Sequence, residues 1–252
     1  MMKTALITGA TSGIGMATAK TLAKNGFRVV ICGRRADRLL ALATELEKFT
    51  EVQTLQFDVR DKEDVAQKIK SIGCDIDVLI NNAGNAHGLD PIETGDLADW
   101  DAMIDINVKG LLYVSHAVID GMTKRKSGHI INIGSTAAKE VYPKGNVYCA
   151  SKHAVDAITE GMRLDLNPYG IKVGAIHPGM VATEFSEIRF KGDKERAKTV
   201  YQGFQPLMSE DIADIILFVV TRPYHVNIAD LMVMSTDQAS STIVNRNRTT
   251  TP

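Results

Sequence analysis

Residues 3–15, KTALITGATSGIG, decide how this chain begins to fold. The first half, which with Met1 and Met2 reads MMKTALIT, is a short apolar segment typical of a β-strand, and the second half is rich in glycine. Residues 16–25 have helical character, and Gly26 predicts the end of that helix. Glycines between a strand and a helix let the backbone approach a pyrophosphate, while the helix N-terminus offers unpaired N–H groups. A plain turn is the alternative, but the flanking strand and helix favour a phosphate-binding loop.

Strand-like and helix-like segments alternate along the rest of the chain. The predicted strands are 28–32, 52–57, 77–80, 130–133, 172–176 and 231–234. The predicted helices are 36–49, 61–72, a long stretch ending near 123, one from about 146 toward 165, and 209–221. Asp61 and Ser209 are expected to cap the helices that they precede or begin. This alternation, with no repeat or linker between, predicts one α/β domain over residues 1–252, with a parallel sheet covered by helices on both faces.

Composition agrees with an ordinary globular protein and excludes other classes. Of the 252 residues, 44% are hydrophobic and 23% are charged, and the formal net charge is −1. That charge provides no basic footprint for nucleic acid. Three cysteines without paired spacing suggest free thiols in a reducing compartment. Because the sequence shows neither a signal peptide nor a membrane-spanning apolar run, we expect a cytoplasmic protein without a membrane partner.

Acid–base chemistry is suggested by the run NVYCASK, in which Tyr148 and Lys152 lie four residues apart. On a helix, these positions share one face. A phenol loses its proton near pH ~10, and a nearby positive charge lowers that pKa. A tyrosine tuned in this way can exchange a proton with a carbonyl or an alcohol near neutral pH. Ser135 follows the apolar stretch HIINIG, thirteen positions before Tyr148.

These motifs together resemble one known family. The G-x-x-x-G-x-G loop, the run 81–84 (NNAG), Ser135 and Tyr148-x-x-x-Lys152 are similar to those of the short-chain dehydrogenase/reductase family, in the same order and spacing. The resemblance extends from about Lys3 to about Met234. It implies a Rossmann-type, doubly wound parallel sheet that carries a nicotinamide cofactor.

The resemblance also implies a role for each catalytic residue. Tyr148 would be the general acid and base, and Lys152 would lower its pKa while holding the nicotinamide ribose. Ser135 would orient the substrate oxygen. Asn107, within DINVKG, would support a water molecule that relays protons near the lysine.

Further cofactor contacts follow from the same resemblance. They are Gly9, Thr11, Ser12, Gly13, Ile14, Gly15, Asp58, Val59, Asn82, Ala83, Gly84, Tyr148, Lys152, Pro178, Gly179, Val181 and Thr183. Asp58 would meet the adenine amine, although a role as a helix or turn cap is the alternative. Asn82, like Asn81, could instead hold strand ends together.

Cofactor choice is predicted from the end of the second strand. An acidic residue there would bind the ribose 2′-OH of NAD, but this sequence has Gly33-Arg34-Arg35. Two guanidinium groups can bind a 2′-phosphate through charge-assisted hydrogen bonds. The sequence therefore predicts NADP. The alternative is that both arginines are solvated at a helix start.

Substrate class is predicted from a closer resemblance within the family, to the NADP-dependent 3-hydroxy acid dehydrogenases that act on serine, allo-threonine and 3-hydroxypropionate. The resembling stretches are 129–137, 145–148, 183–192 and 225–228. A carboxylate needs a cation or N–H donors where water is excluded. Arg189, within a predicted substrate loop at about 183–205, is the candidate, with an exposed arginine on a mobile lid as the alternative. No metal is predicted.

Three other functions stay open. A broad NADPH carbonyl reductase for neutral ketones, sugars or steroids would share the same motifs. A protein that only senses NADP(H), or a helical scaffold, would not need the Ser, Tyr, Lys and Asn set. The helices at 99–123 and around Tyr148 resemble the pair that forms tetramers in the family, so a homotetramer is expected. The polar tail 235–252 would fold over a neighbouring subunit or remain loose.

Overall fold

A parallel sheet of seven strands organises the protein. The computed structural model describes residues 2–246. The strands are β1 (Thr4–Ile7), β2 (Arg28–Gly33), β3 (Val52–Gln56), β4 (Val78–Asn81), β5 (Gly128–Ile133), β6 (Ile171–Pro178) and β7 (Asp230–Val233). Their order is β3-β2-β1-β4-β5-β6-β7, and each neighbouring pair is parallel. The order reverses between β1 and β4, which creates the crevice where α/β sheets bind ligands.

Helices cover both faces of this sheet. The α-helices of the described part are α1 (Gly13–Lys24), α2 (Ala36–Leu46), α3 (Lys62–Lys70), α4 (Leu97–Ile104), α5 (Leu111–Arg125), α6 (Asn146–Leu166), α7 (Phe185–Arg189), α8 (Lys194–Thr199) and α9 (Ser209–Val220). A π-helical segment, Asp105–Gly110, joins α4 to α5. The predicted Rossmann-type, doubly wound α/β fold is confirmed.

The core consists of two apolar layers, one on each face of the sheet. In β1, Ala5 and Ile7 belong to the layer beneath α1, α2 and α9, while Leu6 belongs to the layer beneath α3 and α5. All three side chains are fully buried. A strand covered on both faces has no polar alternation, because successive side chains point to opposite faces.

Of the two predicted helix caps, the cap of α3 is observed and the cap of α9 lies at a different residue. The Asp61 side chain accepts a hydrogen bond from Asp64 N at 3.0 Å and caps α3, as predicted. Ser209 was expected to cap α9 but is its first helical residue, and Met208 holds the cap position. The Asp211 carboxylate explains the shift, since it accepts a hydrogen bond from Met208 N at 2.7 Å.

One continuous helical stretch, Leu97–Arg125, is long and apolar enough to cross a membrane by length and composition. Such a stretch was not expected, because charged residues interrupt the apolar ones in sequence. Within it, 44% of the most apolar window is buried inside the protein. Val114, Val118 and Met122 pack into the layer over the sheet. We therefore describe it as a core helix of the α/β fold.

Candidate active site

A cleft of about 660 Å³ opens at the carboxyl ends of the strands. Loops that follow β1 to β6 line it, so it spans the point where the strand order reverses. Its volume lies within the range of about 300–1,000 Å³ that is usual for ligand and cofactor sites. Position and size together make it the candidate active site.

The glycine loop shapes the floor of this cleft. Gly9 has a φ of +65°, and a Cβ there would lie 3.0 Å from Ala83 Cα. Gly13 begins α1 and lines the cleft, so the helix N-terminus faces it. Gly15 differs from the prediction because it does not line the cleft. A Cβ on Gly15 would lie 2.5 Å from Gly9 O, so its small size serves close packing of the loop.

Asparagine side chains fix the end of β4 against its neighbours. Asn82 Nδ2 donates to Thr8 O at 2.9 Å, while Asn82 also lines the cleft. The buried Asn81 Nδ2 donates to Ser115 Oγ at 2.8 Å and to Asn132 Oδ1 at 2.9 Å. Both residues therefore hold strand ends together, which was the alternative to cofactor contact. The side chain of Asn82 borders the cleft, so its structural role does not prevent contact with a cofactor.

Arginines concentrate at the end of the cleft next to β2. Arg34 and Arg35 both line it, as predicted. Arg60, which the sequence analysis missed, donates to both carboxylate oxygens of Asp58. Burial opposes the ionisation of Asp58, but the hydrogen bonds and charge of Arg60 hold its pKa below the ordinary value. The neighbouring Arg38, also missed, forms an ion pair with Glu184. This end of the cleft is suited to an anionic ligand.

Ser135, Tyr148 and Lys152 form one wall of the opposite end of the cleft, as predicted. Ser135 follows β5, and the other two share a face of α6. Lys152 Nζ donates to Ile133 O at 3.0 Å. Tyr148 is 8% exposed and Lys152 is 6% exposed, so water is largely excluded from both.

Burial dominates the electrostatics around Tyr148. Burial raises the pKa of Tyr148 and the Tyr142 phenol adds to this, while the Ser135 hydrogen bond and the Arg189 charge oppose it. Burial also lowers the pKa of Lys152 to about 8. In the structure, burial dominates the pKa of Tyr148, and the expectation that Lys152 lowers this pKa stays a prediction. Both groups are buried, which favours the neutral form of each, and the charge that acts on the phenol comes from Arg189.

Asn107 lies one layer behind the cleft, in the π-helical segment. It is 2% exposed. Its Oδ1 accepts from Asn85 N at 2.8 Å, and its Nδ2 donates to Asn85 O at 2.8 Å and to Ser151 Oγ at 3.0 Å. Asn107 thus fixes the loop after β4 to the residue that precedes Lys152. Its predicted role in a proton relay stays a prediction.

Arg189 lies beside the tyrosine rather than out in solvent. Its guanidinium carbon is 5.6 Å from the ring centroids of Tyr148 and Tyr142. Its Nε donates to Gly88 O at 3.1 Å. The side chain is partly buried. Arg189 is not among the residues that line the cleft, but its cation stands next to the ring of Tyr148, which does line it.

Sequence reasoning found most of the lining and missed some loop residues. Of the predicted cofactor contacts, the cleft is lined by Gly9, Thr11, Ser12, Gly13, Ile14, Arg34, Arg35, Asp58, Val59, Asn82, Ala83, Gly84, Tyr148, Lys152, Pro178, Gly179, Val181 and Thr183. The missed lining includes Arg60, Asn85, His87, Gly134, Glu184, Phe185 and Ile188. Each of these residues lies within a few positions of a predicted one. Their place in the loops that follow the strands could therefore have indicated that they line the cleft.

A cluster behind Ser135 brings together groups that could ligate a metal, namely Asp156, His177 and Asp230. Lys139 Nζ already lies 2.9 Å from Asp156 and 2.7 Å from Asp230. His177 Nε2 lies 3.1 Å from Asp230. Because an ammonium group occupies the cation position, these carboxylates have a counter-charge within the chain.

The C-terminal segment, residues 235–246, packs on its own chain. Gln238 Oε1 accepts from Met180 N at 2.8 Å. Ser241 Oγ donates to Thr136 Oγ1 at 3.0 Å. Arg246 donates to the backbone carbonyls of residues 200 and 202. Residues 235–246 are thus held on their own chain and are not loose, while contact with a neighbouring subunit stays a prediction. The rest of the predicted tail, 247–252, lies outside the described residues.

A parallel α/β sheet with a glycine loop at its switch point and a Ser-Tyr-Lys wall defines a class of enzymes, the dehydrogenases that bind a dinucleotide. The chain belongs to the short chain dehydrogenase family, whose model matches residues 3–194. The chain is therefore an oxidoreductase.

Curated relatives and solved structures resemble nearly the whole chain. It is 44% identical over 238 residues to the NADP-dependent 3-hydroxy acid dehydrogenase YdfG of Salmonella typhi, covering 93% of this chain and 95% of that protein. It is 42% identical to sulfoacetaldehyde reductase 2 of Chromohalobacter salexigens, covering 94% and 95%. The closed form of a serine dehydrogenase complexed with NADP+ superposes with a TM-score of 0.92 and 40% identity, covering 95% and 98%.

Proposed function

We propose that this chain is an NADP-dependent oxidoreductase that transfers a hydride between nicotinamide and the hydroxyl-bearing carbon of a small 3-hydroxy acid, such as serine, allo-threonine or 3-hydroxypropionate. One observation carries the proposal. The guanidinium carbon of Arg189 lies 5.6 Å from the Tyr148 ring centroid, so it offers a positive charge beside the phenol for the carboxylate of such a substrate, although Arg189 does not itself line the cleft. The relatives named for 3-hydroxy acid and serine dehydrogenation support it.

The residues of the chain divide the chemistry among them. The bound nicotinamide supplies or accepts the hydride. Tyr148 takes the hydroxyl proton in oxidation and returns it in reduction, and Ser135 hydrogen-bonds the same substrate oxygen. Arg189 pairs with the carboxylate and fixes which carbon faces the cofactor. Burial raises the pKa of Tyr148, which favours the protonated phenol that reduction requires, whereas oxidation requires the phenolate.

The arginine end of the cleft fits a 2′-phosphate. β2 ends at Gly33, and Arg34 and Arg35 line the cleft directly after it. Replacing both arginines, Arg34→Ala with Arg35→Ala, should weaken NADPH binding far more than NADH binding, because only NADPH carries the phosphate. Fluorescence titration of both cofactors measures this. Equal loss for both cofactors would refute the assignment.

A substrate panel tests the proposed reaction. We expect turnover of L-serine, L-allo-threonine and 3-hydroxypropionate with NADP+ to exceed turnover of neutral alcohols, because neutral alcohols leave Arg189 unpaired. Sulfoacetaldehyde belongs in the reduction panel, since a relative is named for it and its sulfonate is also anionic. Preference for neutral ketones would contradict the acid-specific proposal and favour a broad carbonyl reductase.

The control for that panel is Tyr148→Phe. Removing a positioned acid and base typically costs ~10²–10⁴-fold in rate. We expect this variant to bind NADPH normally and to lose nearly all turnover. Near-normal turnover would contradict the assigned mechanism.

We also propose a homotetramer, in which α5 and α6 form interfaces between subunits. Exposed leucines support this, since Leu112 on α5 is 40% exposed and Leu164 on α6 is 69% exposed. Light scattering coupled to size-exclusion chromatography measures the mass in solution. A monomer at micromolar concentration would contradict the proposal.

A cytoplasmic location is proposed on the strength of the free thiols Cys32, Cys74 and Cys149. Fractionation of the native host, with detection by antibody, tests it. Recovery with the membranes or outside the cell would contradict it.

A further inference from the structure

Helix α7 borders the cleft, which Glu184, Phe185 and Ile188 line. Glu184 immediately precedes this helix and Arg189 ends it. Five residues of α-helix span only about 7–8 Å, at 1.5 Å per residue. A displacement at Glu184 is therefore transmitted almost directly to Arg189.

At the first end, Glu184 is held by two arginines. Arg38 NH1 donates to Glu184 Oε1 at 2.6 Å, and Arg35 NH1 donates to Glu184 Oε2 at 3.0 Å. Arg35 also donates to Thr11 Oγ1 from Nε at 3.1 Å and from NH2 at 3.0 Å. Arg35 thus joins the glycine loop to the start of α7. It is also one of the two arginines assigned to the 2′-phosphate.

At the second end, Arg189 is fixed by the loop after β4. Its Nε donates to Gly88 O at 3.1 Å, and Gly88 N donates to Arg189 O at 2.9 Å. Its guanidinium lies next to Tyr148. The two anchors of α7 are therefore the arginines Arg35 and Arg38, of which Arg35 is assigned to the 2′-phosphate, and the loop after β4.

We propose that Glu184 is a positioning residue that couples recognition of the cofactor 2′-phosphate to the placement of Arg189 over the substrate, and that its carboxylate limits the affinity for the phosphate. The proposal rests on the proposed function, since it needs NADP and an anionic substrate.

The physical reason is competition for the same donors. A carboxylate and a phosphate both accept from guanidinium groups, and Glu184 already uses NH1 of Arg35. Burial opposes the ionisation of Glu184, but hydrogen bonds from Arg38 and Arg35 hold its pKa below the ordinary value, so it is charged at neutral pH. Two anions that share adjacent guanidinium groups repel each other. Glu184 therefore lowers the affinity of the cleft for the 2′-phosphate while it holds α7 in place.

The test compares Glu184→Gln with Glu187→Gln. Glu187 lies on α7, carries the same charge and does not contact Arg35 or Arg38. Affinity for NADPH and for NADH is measured without turnover by fluorescence titration, and KM and kcat are measured with the preferred 3-hydroxy acid.

We expect Glu184→Gln to bind NADPH roughly fivefold more tightly, since one like charge near the phosphate is removed, with unchanged NADH affinity. We expect its KM for the acid to rise severalfold with little change in kcat, because Arg189 is less well placed. Glu187→Gln should match the wild type in all four values. Glu184→Asp, which restores the charge, should return the NADPH-to-NADH ratio toward wild type.

Three results would overturn the inference. They are weaker NADPH binding by Glu184→Gln, an equal change for both cofactors, and the same changes in Glu187→Gln. Failure of the proposed function appears differently, in the wild type itself, as preference for NADH or for neutral substrates. The cofactor titrations then still decide whether Glu184 limits phosphate affinity.

Discussion

Lys152 carries a charge that its surroundings disfavour. It is 6% exposed, and its ammonium group donates to the Ile133 carbonyl at 3.0 Å. Burial lowers its pKa to about 8 from an ordinary value of 10.5. Between these two values the unfolded chain binds more protons than the folded one, so the contribution of Lys152 to stability rises as pH increases from about 8 to about 10.5.

Replacing Lys152 with methionine should therefore stabilise the protein while it removes activity. At pH 7 we expect Lys152→Met to raise the free energy of unfolding by about 1–3 kcal/mol. The variant avoids the cost of burying the charge but loses the hydrogen bond to Ile133, and the expected gain is the difference between the two. Chemical unfolding at pH 7 and at pH 9.5 measures this difference. The gain should shrink at the higher pH, because the wild-type lysine is then neutral when folded.

Lys198→Met is the matched control, since the Lys198 side chain is 68% exposed. It should change stability by less than about 0.5 kcal/mol at either pH. A gain for Lys152→Met that does not depend on pH would mean that better packing, and not the removed charge, is responsible.

The sequence predicted where Tyr148 and Lys152 lie but not how they ionise. An i, i+4 spacing places two side chains on one face whatever surrounds them. The pKa depends on burial and on charges brought in from elsewhere in the chain. Arg189, 41 positions beyond Tyr148, approaches only after the loop following β6 has folded back. Spacing alone contains no information about that contact.

At the scale of an element, the π-helical segment Asp105–Gly110 is the feature that links fold to site. Such widened turns often occur at functional sites. Gly110 ends the segment, and a Cβ there would lie 2.7 Å from Val59 Cγ2. Asn107 inside it binds both backbone groups of Asn85, at 2.8 Å each. The segment thus fixes the loop that follows β4.

Removing the Asn107 side chain should detach that loop. Asn107→Ala leaves the N–H and the carbonyl of Asn85 unpaired in a buried place, which costs about 2–5 kcal/mol for the two groups. Ser151→Ala removes only one contact of Asn107, at 3.0 Å, and its own bond to Tyr148 O, so it should cost less. Urea unfolding of both variants measures the difference. Equal costs would show that the bonds to Asn85 contribute little.

Sequence patterns predicted the helix through this region but not its widened turn. DINVKG has no proline and only a terminal glycine, so its local preference is simply helical. The widening is imposed by contacts with Asn85 and Val59, which come from other loops. For the same reason, Met208 and not the serine that capping preference favours holds the cap position of α9, because its N–H donates to the Asp211 carboxylate.

For the whole molecule, alternation of strands and helices predicted a parallel sheet, and the glycine loop predicted where its crevice lies. The order of the strands was not predicted, because alternation is the same for every parallel arrangement. The contacts of the C-terminal segment with its own chain were also not predicted. Its polar sequence gives no periodicity, and its contacts are separate hydrogen bonds, among them those to Met180 and Thr136.

Those contacts tie the end of the chain to the cleft. Gln238 is 5% exposed. Its Oε1 accepts from Met180 N at 2.8 Å, and its Nε2 donates to Ser240 O at 3.1 Å. A Cβ on Gly179, which lines the cleft, would lie 2.9 Å from the Gln238 side-chain carbon Cδ. The glutamine therefore supports the turn after β6 from behind.

Gln238→Leu should loosen that turn, since leucine has similar size but leaves Met180 N unpaired. We expect a loss of about 1–3 kcal/mol in the free energy of unfolding and severalfold weaker NADPH binding, measured by urea unfolding and fluorescence titration. Ser235→Ala is the control, because the buried Ser235 hydroxyl has no hydrogen-bond partner among the described residues and its removal costs little. If Gln238→Leu lost stability but bound NADPH as tightly as Ser235→Ala does, the C-terminal segment would support the fold without shaping the cleft.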